Sequence, residues 1–279
     1  MRLPAHCAAA AAWLVLAAGP TVATAQQPAP RKAVILAYDL GDQHNFRAQA
    51  ATLKACLEYC PEMAAVKAEL YSDGWPADAN TLNDADVIIA LTDGCGAHPL
   101  FRTPQRAALI DRQMRRGCGL VVLHYAFAAL PGTDANTMLR WLGGTYRENH
   151  TRIVGAQKAE VTPIDPNHPI CRGWRKLWAS GDEWYCPVWF GDGAKGGKVA
   201  PLATLAVPLA APPRNETVAW TFERAGGGRS FAYTGGHSSA VWQEAAFRTM
   251  ICNAILWTAK ADLPAGGIES KLPPSLKAR

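Results

Sequence analysis

A doubly wound α/β domain built on a mostly parallel sheet is predicted by three features of the chain. Short apolar runs at residues 33–38, 87–91 and 120–123 have the character of strands buried on both faces. Segments with helical spacing alternate with them, as in successive βαβ units. Polar loops rich in His, Asp and Gly follow the carboxyl ends of these runs, which is where open α/β sheets bind ligands.

Residues 1–25 read as a secretory signal peptide. Arg2 supplies a positive start, residues 7–19 an apolar stretch rich in Ala and Leu, and Ala23-Thr24-Ala25 a small-residue cleavage site. The apolar stretch is too short for a good anchor, and no later segment suits a membrane span. The chain is therefore expected to be exported, to the periplasm or the exterior. Residues 26–32 form a leader, residues 33–262 the α/β domain and residues 263–279 a Pro/Gly-rich tail.

Within the domain, a strand at 33–38 leads into a polar loop carrying His44. A helix follows at 46–60, with Ala50, Leu53 and Leu57 on one side. Strands are expected at Val66–Tyr71 and 87–91, and Thr92 to His98 form a loop after the second of these. Thr103 and Pro104 have the chemistry of an N-cap and first helical residue, Ala107, Ile110 and Met114 keep helical spacing, and Gly117 ends that helix. The strand Leu120 to His124 precedes a loop and a short helix over 136–142. The middle, 146–213, is expected to be less regular, with strand-like pieces at 159–164 and 201–207 and an irregular Trp-rich insert, 174–190. Strands at 217–223 and 229–234 flank a Gly226-Gly227-Gly228 turn, and a long amphipathic helix spans 241–260, with Phe247, Ile251 and Ile255 near one face.

The balance of 28 basic and 23 acidic side chains, with no basic run, gives no reason to expect nucleic acid as a partner. Seven cysteines follow the leader, an odd number, so at least one is unpaired unless another chain supplies a partner. Cys56 and Cys60 share a helix face, where a disulfide would be strained. The chain has no CxxC, no phosphate-binding glycine motif and no nucleophile elbow. The elbow's place, after the strand at 120–123, is held by His124 without flanking glycines.

In a parallel sheet the strand ends converge. His44, Asp93, His98, His124 and His237 are thus expected in one crevice, with Glu183 reaching in from the insert. Imidazoles and carboxylates in one cleft suit general acid–base work and also suit a metal, although no two histidines have a short ligand spacing. His168 lies in a Pro-bounded turn and is read as structural. His150 lines the cleft or sits on the surface.

The segments ending at His124, Trp141-Leu142-Gly143-Gly144, His168-Pro169-Ile170, Asp182-Glu183-Trp184-Tyr185, Thr217-Val218-Ala219-Trp220, Gly235-Gly236-His237 and the run from Phe247 to Trp257 together resemble the ThuA-like, or trehalose-utilisation, family. Asp73-Gly74-Trp75 and Leu123-His124-Tyr125 are similar to an exported subgroup of it. The resemblance implies a flavodoxin-like fold related to class I glutamine amidotransferases, without their catalytic cysteine. It also implies sugar metabolism, with glycosides, including oxidised 3-keto forms, as the substrate class. His44, His124, Glu183 and His237 carry over as catalytic residues, and Asp93 and His98 match the exported subgroup. Asp93, His98, Tyr125, Asp182, Trp184 and His150 are the expected substrate contacts. A divalent metal such as zinc, if bound, is expected among His44, His124, Glu183 and His237. The expected activity is general acid–base chemistry on a small carbohydrate, with His124 and Glu183 as the acid–base pair. The alternative is a non-catalytic carbohydrate-binding module that uses Trp174, Trp178, Trp184 and Trp189.

Overall fold

The uniformly apolar runs do become strands, and they fill the middle of the molecule. The computed structural model describes residues 29–191, 196–207 and 214–277, so the signal peptide expected over residues 1–25 lies outside the described residues. Among the described residues nine strands form one sheet: β1 (Arg31–Tyr38), β2 (Val66–Tyr71), β3 (Val87–Thr92), β4 (Gly119–Leu123), β5 (Arg152–Pro163), β6 (Leu177–Cys186), β7 (Gly197–Ala206), β8 (Asn215–Arg224) and β9 (Arg229–Tyr233). Their spatial order is β2-β1-β3-β4-β9-β8-β7-β5-β6. The first five in that order pair in parallel, and the remaining four form an antiparallel wing. The 2-1-3-4 order with β9 fifth is the flavodoxin-like arrangement.

Among the same residues four α-helices cover the sheet: α1 (Phe46–Tyr59), α2 (Pro104–Arg115), α3 (Thr133–Leu142) and α4 (Ala245–Thr258). Because strand side chains alternate, each strand feeds two cores. Ile35, Ile89, Val121 and Phe231 share one core with Leu53 of α1 and with Ile251 and Ile255 of α4. Val34, Leu36, Ile88 and Val122 share the other with Ile110 of α2 and with Met138 and Trp141 of α3. The start of α2 is capped as its sequence indicates, the Thr103 hydroxyl accepting the Arg106 amide at 3.2 Å. Gly117 takes φ +91° beyond the helix end. Gly226 to Gly228 make the turn between the antiparallel β8 and β9. Among the described residues, no helix is long and apolar enough to cross a membrane.

Two expectations are corrected. The Trp-rich segment is not irregular: its centre is β6, paired with β5 along most of its length. The helix expected over 241–260 begins only at Ala245, after a short 3-10 turn, Ser239–Gln243. Nor is it amphipathic in its setting, because residues Phe247 to Thr258 are all buried. The tail supplies the cover. Ile268 and Leu272 are buried, Thr249 donates to the Ile268 carbonyl at 3.0 Å, and Asn253 accepts the Ile268 amide at 3.0 Å. All seven described cysteines carry free thiols.

Candidate active site

Loops leaving the carboxyl ends of neighbouring strands build the site. The loop after β1 is drawn onto the start of α1 by Asp39, whose carboxylate accepts the Phe46 and Arg47 amides. His44 is thereby set beside Asp93, the first residue after the adjacent β3. Its Nδ1–H donates to Asp93 Oδ1 at 2.6 Å, and the other Asp93 oxygen accepts the Leu40 amide. Burial alone would raise the Asp93 pKa, but these hydrogen bonds outweigh it and hold the carboxyl below its ordinary range. With Nδ1 turned to a carboxylate, Nε2 is the His44 atom left to face a ligand.

His124 directly follows β4 with φ +52°, a left-handed conformation that costs a β-substituted residue energy and that the surrounding packing must maintain. Other α/β folds use a strained strand-to-turn bend at this place to present a nucleophile; here it presents an imidazole. The ring is fully buried, and Nδ1–H donates to the Thr234 carbonyl at the end of β9, 2.9 Å away. Its Nε2 has no hydrogen-bond partner. Burial holds His124 below the ordinary histidine pKa, against the opposing pull of Glu183 and the Thr234 carbonyl. Cys118, at the opposite end of β4, is no substitute nucleophile: burial pushes its thiol up to about 12.

The third imidazole follows β9 in Gly235-Gly236-His237. Asp182 holds this turn, accepting the Gly236 amide at 3.0 Å and the Ser238 amide at 3.1 Å. Gln49 of α1 donates to the His237 carbonyl at 3.1 Å, while its own oxygen accepts the Trp242 indole N–H at 2.9 Å. Gly235 is obligatory: a Cβ there would lie 2.3 Å from Trp184 Nε1. His237 is 35% exposed, and its Nδ1 lies 3.3 Å from Glu183 Oε1.

Glu183 arrives by strand alternation. In β6, Asp182 and Trp184 face β9, with Trp184 Nε1 donating to the Tyr233 hydroxyl at 2.9 Å. Glu183 and Tyr185 face the cleft. Glu183 Oε1 is 3.5 Å from His124 Nε2, and chiefly His124, with His237 adding to it, holds this carboxyl below its ordinary range. The three ring centroids are 5.2, 5.2 and 5.4 Å apart. One ligating atom from each of His44, His124, Glu183 and His237 lies within 4.8 Å of all the others. Three imidazole nitrogens and one carboxylate make a donor set suited to zinc or a similar divalent ion. The His44–Asp93 and His124–Thr234 hydrogen bonds are the outer contacts that orient metal-binding imidazoles, and the unpartnered nitrogens of His124 and His237 fit that use.

The structure brings together all four residues expected to be catalytic, and it redistributes the expected substrate contacts. Asp93 stands behind His44. Tyr125 is half-buried, stacked on Tyr185 with centroids 5.1 Å apart. His98 does not join the cleft. It is buried, donates from Nε2 to the Ala126 carbonyl at 2.9 Å and accepts the Leu100 amide on Nδ1, and burial lowers its pKa to about 4. Trp184 lies in the core and offers no stacking face. The two oxygens of Asp182 are committed to the His237 turn, so it supports the site rather than touching substrate. His150 lies outside the cluster, its ring 5.4 Å from that of Trp189. Tyr185 was missed by the sequence reading. Its ring is 5.1 Å from that of His124, and its signal is its position two residues after Glu183, on the strand face opposite Trp184.

A family model described as trehalose utilisation, ThuA, matches residues 32–258. Among solved structures, a ThuA-like protein from Parabacteroides merdae superposes with a TM-score of 0.63 at 15% identity, covering 88% of this chain and 94% of that one. A ThuA-like protein from Bacteroides uniformis gives 0.58 at 20% identity, covering 82% and 92%. A GH42 β-galactosidase from G. stearothermophilus gives 0.51 at 10% identity, with 84% of this chain matching 30% of that one. At these identities the likenesses show the fold alone. Comparison with curated proteins finds no match.

Proposed function

The chain belongs to the ThuA, or trehalose-utilisation, family, and from that premise and the chemistry of the cleft we propose an exported enzyme of carbohydrate metabolism that acts on a glycoside or keto-sugar with the help of one divalent cation such as zinc. The observation that carries this reading is the four-residue cluster, in which His44 and His124 each have their second nitrogen committed to a fixed acceptor. The family description supports a carbohydrate substrate, and the sequence of residues 1–25 supports export.

A bound cation polarises a carbonyl or hydroxyl oxygen of the substrate. The protein's own groups do the rest. The fixed rings of His44 and His124 keep their free lone pairs convergent. Glu183, 24% exposed at the mouth of the cluster, is the group placed to take a proton. In a 3-keto glycoside the hydrogen beside the ketone is acidic. Its transfer to the second oxygen of Glu183, Oε1 being the one beside His124 and His237, leaves an electron pair that either expels the glycosidic oxygen, which departs with a proton, or is reprotonated to give an isomer. Tyr125, half-buried and backed by the buried Tyr185 ring, offers an aromatic face against which an apolar sugar face can lie. The reading as a binding module loses ground because Trp174 and Trp184, two of its four stacking residues, are buried in the core.

The test is metal analysis of purified protein together with turnover on a panel of glycosides and their 3-keto forms. The expected result is about one cation per chain, with turnover lost on chelation and restored by zinc. Full turnover in a metal-free protein, or binding of the panel with no change to any ligand, would overturn it.

A further inference from the structure

Beside the cluster lies a groove that no step above uses. It has a volume of about 330 Å³, and its walls include Ala135 and Asn136 of α3 on one side and Tyr146, Arg147, Glu148 and Trp189 on the other. That is near the lower end of the range for small-molecule sites and holds a ring-sized unit rather than a long chain. We propose that this groove is a second sugar subsite, so that the substrate is a glycoside of at least two units. The inference rests on the carbohydrate reading above and sharpens its substrate class.

Position is the first argument. A run of ring contacts leads from the cluster to the groove: Tyr185 is 5.1 Å from His124, and Tyr146 meets Tyr185 edge-on at 6.5 Å. The floor is fixed to the turn that carries His124, because the Thr145 hydroxyl donates to the Phe127 carbonyl at 3.0 Å. Thr145 and Trp189 also exchange backbone hydrogen bonds at 2.9 and 3.1 Å, which locks the two sides of the wall together.

Chemistry is the second. Sugar rings present an apolar face and a rim of hydroxyls, and they are matched by an aromatic or aliphatic surface with planar polar groups around it. Here the Arg147 guanidinium lies 3.9 Å from the Trp189 ring centroid, a stack that holds both groups still. Among the described residues Arg147 makes no ion pair, so its outward N–H groups remain for a hydroxyl. Asn136 and Glu148 supply a further amide and a carboxylate.

Calorimetry on the intact, metal-loaded protein tests this, with glucose and methyl glucoside as one-unit probes and trehalose, maltose and cellobiose as two-unit probes. Arg147→Ala removes the polar wall, and Ala135→Trp fills the groove from a helix surface without deleting a contact. At least one disaccharide is expected to bind wild type more tightly than either one-unit probe, and both variants should weaken it about tenfold while leaving metal content and one-unit binding unchanged. Equal binding of one- and two-unit probes, or variants that leave the ratio unaltered, would overturn the subsite and spare the enzyme reading. No binding of any probe to wild type would bring down both.

Discussion

The parallel half of the sheet and the antiparallel wing serve the cleft by opposite means. The parallel half sends in His44, His124 and His237 on loops, and each is placed by hydrogen bonds. Asp93 holds His44, the Thr234 carbonyl holds His124, and Asp182 with Gln49 holds the turn bearing His237. The wing sends in Glu183 and Tyr185 from the last stretch of strand β6, placed by alternation, while Trp184 between them is sealed against Tyr233. A loop residue can be lost through one hydrogen bond. A strand residue is lost only if the register slips, and a one-residue slip in β6 would turn Trp184 into the cleft and Glu183 into the core.

The largest effect expected is equal in the two halves. Glu183→Gln from the wing and His124→Asn from the parallel half should each weaken zinc binding about a hundredfold or more, since each removes a first ligand where loss of an outer contact already costs roughly ten- to a hundredfold; competition with a chromophoric chelator measures it. A variant with unchanged affinity would remove its half from the centre.

Next comes a contrast inside the parallel half, between His98 and the cleft histidines. His98 is neutral and buried when folded, with its pKa lowered to about 4 by desolvation. Below about pH 6.5 the unfolded chain binds a proton that the folded chain refuses until about pH 4, so stability present above pH 6.5 is lost across that window, by about 3 kcal/mol. Urea unfolding against pH should show this slope, and His98→Asn should flatten it. An unchanged slope would mean that His98 is not the group responsible.

Asp93→Asn and Asp182→Asn compare the two ways of supporting a ligand. Each should weaken metal binding roughly ten- to a hundredfold, the former through ring orientation and the latter through the turn. A weakening confined to Asp93→Asn would show that the His237 turn holds itself. The smallest effect is expected for Trp184→Phe, which loses one buried hydrogen bond and some volume, about 1–2 kcal/mol in thermal unfolding. If metal affinity falls as well, the register of β6 depends on that indole.

The parallel half was readable from residues because β3 and β4 are apolar throughout and their loops turn polar at once. The wing was not. β6 places Gly-Asp-Glu between indoles, and only its pairing with β5 shows that the polar residues serve the cleft and the turn while Trp184 serves the core. Position at a strand end identified His44 and His124 but misassigned His98. A usable signal was present: His98-Pro99 and His168-Pro169 share one pattern, and in both the imidazole Nδ1 accepts the amide two residues on, capping a short turn. For Tyr185 the local signal is alternation alone, two residues after Glu183; its ring partners Tyr125 and Tyr146 are distant in sequence.

The stretch beyond α4 has a consequence for how the fold can be divided. The family match ends at residue 258, yet the next segment lies across α4, and the Lys271 amide donates to Cys60 Sγ at 3.1 Å, tying α4 to the end of α1. Shared sequence and self-sufficient fold therefore end at different places. A chimera joined at residue 258 would graft a helix without its cover, leaving the Thr249 hydroxyl without Ile268 and Ser270 and the Asn253 side-chain oxygen without the Ile268 amide, whereas one joined beyond Leu272 would transfer a closed unit.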